Sequence, residues 1–127
     1  MAAERVLIVD DNPYNVKLAR RLLVSEGFDV RNATAPDDVF EIATNWAPQL
    51  ILMDLQLPGM DGLTLTRRLR TNPAHAATVI VAFSALISPA DERLALDAGF
   101  DGYIAKPIDT RQFGSMVRRH LASGRAT

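Results

Sequence analysis

The chain has 127 residues, 48% of them apolar and 23% charged, which suits one compact domain and excludes wholesale disorder. Lys and Arg total 14 against 15 Asp and Glu, so there is no basic excess to bind nucleic acid or an acidic membrane through counterion release. Cysteine is absent, which excludes disulfides, thiolate catalysis and Cys-ligated zinc. The start lacks the layout of a signal peptide, and the longest apolar stretch, 79–87, is too short to span a bilayer. A cytoplasmic protein is expected.

Short apolar runs alternate with segments of helical period. Arg5 to Val9 predicts a buried strand ending in Asp10-Asp11. Asn12-Pro13 then reads as an N-cap with proline at the first helical position, and Val16, Ala19, Leu22 and Leu23 share an apolar face up to Gly27. Residues 28–33 predict a second strand and 36–46 a second helix, with Trp46 packing at its end. Leu50 to Met53 is a third strand ending in Asp54. A turn-rich loop through Leu57-Pro58-Gly59-Met60 leads to Asp61-Gly62 and a helix to Arg70, broken by Asn72-Pro73. Residues 79–83 make a fourth strand ending in Ser84, and Ser88-Pro89 opens a helix that Gly99 stops. Gly102 to Ala105 is a fifth strand ahead of Lys106-Pro107. Asp109 and Gln112 have capping-box spacing before a last helix through Leu121.

Five strand–helix units with continuously apolar strands imply a parallel sheet covered on both faces, a doubly wound α/β domain with right-handed crossovers. The expected architecture is a flavodoxin-like (βα)5 fold with strand order 2-1-3-4-5. The domain is expected over 1–122, with 123–127 as a frayed tail.

The reactive side chains fall at strand ends. Asp10 and Asp11, Asp54, Ser84 and Lys106 each follow a different apolar run, at the sheet edge where open α/β folds bind ligands. With strands one and three adjacent, the three aspartates converge. Any one of them could be a cap or turn residue, but as a set they would repel and raise one another's pKa unless a hard cation offset them. Mg²⁺, which takes oxygen ligands and keeps several waters, fits.

Val9-Asp10-Asp11-Asn12, Met53-Asp54 with Pro58-Gly59-Met60-Asp61-Gly62, Ser84-Ala85 and Tyr103-Ile104-Ala105-Lys106-Pro107 together resemble the receiver domain of two-component response regulators, in order and over nearly the whole chain. The runs 53–58 and 106–109 are most similar to single-domain, chemotaxis-regulator-like receivers and to those of hybrid kinases. The resemblance implies that Asp54 is the phosphoacceptor, a carboxylate nucleophile. It implies that Asp10, Asp11, Asp54 and the backbone carbonyl of Gln56 hold Mg²⁺, and that Lys106 and the Ser84 hydroxyl contact the phosphoryl group. Serine stands at 84 where threonine is commoner in the family. Tyr103 matches the switch aromatic, and its alternative is a half-buried strand residue. Gln56 and Leu86 match the two positions that tune phosphoryl lifetime, and a cis Lys106–Pro107 peptide is implied.

The expected function is therefore a phosphoacceptor response regulator of a two-component or phosphorelay system, not an enzyme beyond its own self-dephosphorylation. The implied partners are a histidine kinase or histidine phosphotransfer protein and a downstream protein target, with no nucleic acid and no membrane, for a monomer or weak dimer. The face made by the fourth helix, fifth strand and fifth helix is the expected output surface. Arg93, Asp97, Asp101 and Arg118 are available there as surface charges for a dimer.

A Mg²⁺-dependent phosphatase or phosphotransferase using Asp54 is the alternative, weakened by Gln56 where such enzymes carry a second acid. A flavin carrier of the same fold is disfavoured because Asp10-Asp11 would repel the flavin phosphate, and no glycine-rich phosphate cradle is present. His75 and His120 read as surface residues, Arg67, Arg68 and Arg70 as a solvated helix face, and Met60 and Met116 as packing.

Overall fold

The computed structural model describes residues 3–57, 59–85 and 88–125. Strands β1 (Arg5–Val9), β2 (Asp29–Ala33), β3 (Leu50–Met53), β4 (Val79–Ser84) and β5 (Gly102–Ala105) form one parallel sheet in the order β2-β1-β3-β4-β5. Helices α1 (Pro13–Ser25), α2 (Pro36–Asn45), α3 (Gly62–Arg70), α4 (Pro89–Ala98) and α5 (Phe113–Ser123) connect and cover it. This is the expected doubly wound (βα)5 architecture.

Residue alternation along the strands sorts the core into two layers. Val6, Ile8, Leu50, Leu52, Val81 and Phe83 face α1 and α5, meeting Ala19, Leu23, Phe113 and Val117. Leu7, Val9, Ile51, Met53, Ile80 and Ala82 face α2, α3 and α4, meeting Val39, Ala43, Leu65, Leu69, Ala95 and Ala98. Every residue of β3 is buried, which explains why the central strands read as unbroken apolar runs. Met60, Met116 and Trp46 pack against these layers as expected, and the Arg31 guanidinium lies 4.8 Å from the Trp46 ring centre.

The ends of α1 and α4 follow local chemistry, and the start of α5 does not. The Asn12 side chain accepts from the Tyr14 and Asn15 amides, Pro13 opens α1, and Gly27 follows its end at φ 93°. A complete capping box joins Ser88 and Asp91 at the start of α4. The box expected at Asp109 and Gln112 is not formed. Asp109 spends its carboxylate on the Arg111 amide in the preceding turn, so α5 starts at Phe113 with no side-chain cap from Gln112. It runs through Ser123, one residue into the expected tail, and the Arg125 guanidinium lies 3.0 Å from Asp101. Among the described residues, no helix is long and apolar enough to cross a membrane.

The edge of the sheet at the amino end of β4 and β5 overturns three expectations. Arg70 is not on a solvated face. Its guanidinium donates to the carbonyls of Gly99, His75 and Thr78 and to Asp101 Oδ2 at 2.7 Å. Asp101 is not a free surface charge: its side chain is 1% exposed and also accepts from the Ile80 amide. His75 is buried in the short 3-10 turn Pro73–His75, and His120 is half-buried against Gly102. Arg70 and Asp101 are brought together from 31 positions apart in the chain, a pairing that helical period cannot reveal.

Candidate functional site

Register brings the acids together. β1 and β3 are paired with Val9 opposite Met53, so Asp10 and Asp54 leave the sheet side by side, and the Asp54 amide donates to the Val9 carbonyl at 2.9 Å. Asp10 is fully buried, Asp54 is 7% exposed, and Asp11 is exposed. Carboxylate oxygens of the three lie within 4.8 Å of one another. On the other side, Ser84 pairs with Ala105, and the Lys106 amide donates to the Ser84 carbonyl at 2.8 Å, turning Lys106 toward the acids. The Lys106–Pro107 peptide is cis.

Lys106 Nζ stands 2.7 Å from Asp10 Oδ2 and 3.3 Å from Asp54 Oδ2, with the Phe83 ring centre 4.9 Å away. Only the Asp54 contact has hydrogen-bond alignment. Asp10 Oδ2 is buried with no hydrogen-bond partner among the described residues, while Asp10 Oδ1 accepts from the Asn12 amide. One ammonium thus serves two buried carboxylates, so part of their negative charge is left uncompensated. Burial raises the Asp54 pKa above its ordinary range and the Asp10 charge adds to this; the Gln56 amide, donating to Asp54 Oδ1, and Lys106 oppose it.

These residues line a cleft of about 540 Å³ together with Asn12, Asn15, Leu55, Leu57 and Asp61. Of the residues expected at the site, Asp10, Asp11, Asp54, Gln56 and Lys106 meet here. Ser84 sits at its strand end and is not among the lining residues. Half-buried Tyr103 lines a separate groove of about 250 Å³ with Glu92, Ala95, Leu96, Phe100 and Gly102. Leu86 lies outside the described residues. The donors are hard oxygens, two of them buried and under-compensated, and this fits a divalent cation such as Mg²⁺.

Two contributors escape a sequence reading. Phe83 lies beneath the lysine, but in sequence it is only one more apolar strand residue. Gly62 packs on the backbone carrying Asp54, and its motif gives no sign of that contact.

A family model of the response regulator receiver domain matches residues 6–118. The chain belongs to the response regulator receiver domain family. This receiver domain is 32% identical over 116 residues to the polar-differentiation response regulator DivK of Brucella ovis, covering 91% of the chain and 94% of that protein. It is 39% identical over 102 residues to the gliding motility regulatory protein of Myxococcus xanthus, covering 80% of the chain but 13% of that much longer protein. Among solved structures, the receiver domain of a sensor histidine kinase from Pseudomonas aeruginosa, with magnesium coordinated in its active-site cleft, superposes with a TM-score of 0.85 at 29% identity, covering 95% of this chain and 99% of that one. The receiver domain is a signalling module of two-component systems, where such domains meet histidine kinases and downstream targets, and not an enzyme in the usual sense. The alternative reading as a phosphatase is not favoured.

Proposed function

We propose that Asp54 accepts a phosphoryl group from a phosphohistidine on a histidine kinase or phosphotransfer protein. The observation that carries this is the buried, under-compensated pair Asp10 and Asp54, with Lys106 Nζ within reach of both. An Asp54 oxygen attacks phosphorus, the phosphorus–nitrogen bond breaks, and its electron pair returns to the imidazole of the donor. Asp10, Asp11, Asp54 and the Gln56 carbonyl would hold Mg²⁺. The ion, when bound, offsets the charge of the phosphoryl oxygens. Lys106 moves its charge from Asp10 to a phosphoryl oxygen, and the Ser84 hydroxyl donates to another.

Drawing Ser84 toward that oxygen lets Tyr103 turn, and the change is read on the face made by α4, β5 and α5. Exposed Leu94 and Leu96 give α4 apolar surface for a partner. Asp101 is committed to Arg70 and Arg125, so a dimer across this face would rely on Arg93 and Asp97. Arg118 is engaged with Glu4, Glu26 and the Phe28 ring. The functional unit is the domain expected over 1–122, extended by α5 to Ser123 and by the Arg125–Asp101 pair, working in the cytoplasm as a monomer or weak dimer, with self-dephosphorylation as its only intrinsic turnover. Gln56 and Leu86 would tune that lifetime: neither side chain can act as a base toward water.

The test is acetyl-phosphate labelling in Mg²⁺. A phosphoryl adduct stable to acid and labile to alkali and hydroxylamine is expected on Asp54 and absent from Asp54→Asn. Equal labelling of Asp54→Asn refutes the assignment.

A further inference from the structure

Helix α3 begins at Gly62 with no gap between it and the strand end that carries Asp54. The Gly62 amide donates to the Leu55 carbonyl at 2.9 Å. A Cβ built on Gly62 falls 2.2 Å from the Asp54 carbonyl oxygen, 2.9 Å from Leu55 Cα and 3.0 Å from the Asp54 carbonyl carbon. All three are backbone atoms, so no side chain can swing aside to admit it. Gly62 has no positive φ, and its requirement is space and not backbone conformation.

Any side chain here must separate helix and loop by most of an ångström. The helix cannot retreat freely, because Leu65 and Leu69 are 0% and 1% exposed in the core beneath it. The sheet cannot either, since β3 is buried throughout. The backbone of 54–56 is the part left to move. It carries the Asp54 carboxylate, the Gln56 amide that orients it, and the Gln56 carbonyl.

We propose that Gly62 is a positioning residue. Its missing side chain seats the 54–56 backbone so that the Asp54 carboxylate and the Gln56 carbonyl point into the cleft at the spacing Asp10 and Asp11 require. The proposal rests on Asp54 being the phosphoacceptor. Mg²⁺ demands near-ideal octahedral geometry, and displacements near 1 Å cost about 100-fold in rate when they misalign reacting groups. Gly62 therefore controls metal affinity and phosphoryl uptake without touching either ligand.

The experiment compares wild type, Gly62→Ala and Leu69→Ala. Leu69→Ala opens a cavity at the far end of the same helix and serves as a control of equal or greater instability. Mg²⁺ affinity is read by calorimetry and by the Mg²⁺-induced rise in melting temperature, which reports binding even in a weakened fold. Phosphoryl uptake from acetyl phosphate is read at saturating Mg²⁺. Gly62→Ala is expected to bind Mg²⁺ at least tenfold more weakly and to label at least tenfold more slowly. Leu69→Ala should keep both within about twofold. A folded Gly62→Ala with wild-type Mg²⁺ affinity and labelling overturns the proposal. So does equal loss in Leu69→Ala, and so does a Gly62→Ala chain that folds at no temperature or Mg²⁺ concentration, which would make the gap a requirement of the whole fold. Wild type that takes no label on Asp54 sinks the functional reading instead, and the Mg²⁺ comparison still decides the role of Gly62.

Discussion

Two buried ionic clusters sit at opposite edges of the sheet, and they are built on opposite terms. At the amino end of β4 and β5, Asp101 meets Arg70, Arg125 and the Ile80 amide, and the Arg70 guanidinium also reaches three backbone carbonyls. At the carboxyl end, a single lysine faces Asp10 and Asp54, and Asp10 Oδ2 has no hydrogen-bond partner among the described residues. In charge the first cluster is satisfied, with two guanidiniums to one carboxylate, and it joins elements; Arg125 Nε, like Asp10 Oδ2, makes its ion pair without hydrogen-bond alignment. In the second, two buried carboxylates share one ammonium, which leaves negative charge that suits a cation.

The sharpest way to break this contrast is to delete the bolt at the satisfied edge. Arg70→Ala removes a buried cation from Asp101 and frees the three carbonyls, so a loss of about 3–5 kcal/mol is expected in chemical denaturation. Labelling of Asp54 in the fraction still folded should persist. A loss under about 1 kcal/mol would mean the cluster is not what joins this edge.

The mirror substitution has the opposite sign. The raised pKa of Asp54 means that ionising it costs the metal-free fold stability at neutral pH, since that stability is lost as pH rises through the folded pKa. Asp54→Asn should therefore melt higher than metal-free wild type, by roughly 4 °C for about 1 kcal/mol in a domain of this size. A lower melting temperature would contradict the repulsion on which the site reading depends.

A smaller effect sharpens the account of the satisfied edge. Burial lowers the pKa of His75, with the Arg70 charge adding to it, and burial likewise lowers that of His120, with Arg119 adding. Both are neutral in the fold above their ordinary value of 6.5, so their contribution is complete there and is lost as pH falls below it toward the folded pKa. Denaturation between pH 7.5 and pH 5, in the Asp54→Asn background to remove the opposing carboxylate, should show stability falling, and His75→Gln should flatten the slope. A flat curve in that background would place both rings in water.

The smallest expected effect is kinetic. Leu86→Glu should speed decay of the Asp54 phosphoryl group several-fold, where tenfold corresponds to about 1.4 kcal/mol in barrier. Unchanged decay would remove Leu86 from control of lifetime.

The contrast also explains what was legible in the sequence. The acidic edge is written locally: Asp10, Asp54 and Lys106 each follow an apolar run, and parallel pairing of β1 with β3 then brings Asp10 and Asp54 together. Strand and helix ends were readable from Asn12-Pro13, Ser88-Pro89 and Gly99 for the same reason. The satisfied edge is written nowhere locally. Arg70 reads as a surface arginine and Asp101 as a loop acid until β4 and β5 are packed and a partner 31 residues away is in place. His75 and His120 were misread because burial of a single polar side chain leaves no periodic trace. The absent cap at Gln112 shows the same limit at short range, where Asp109 had two competing amides and took the nearer turn.

The most direct test of the central claim is an amide chemical-shift map recorded with and without Mg²⁺ and beryllofluoride, a mimic of the phosphoryl group. The account predicts large changes at Asp10, Asp11, residues 54–57, Ser84 and Lys106, continuing through Tyr103 onto the face of α4, β5 and α5, while His75, Thr78, Ile80 and Asp101 stay still. Changes centred on Arg70 and Asp101, with the acids at the other edge unmoved, would contradict it.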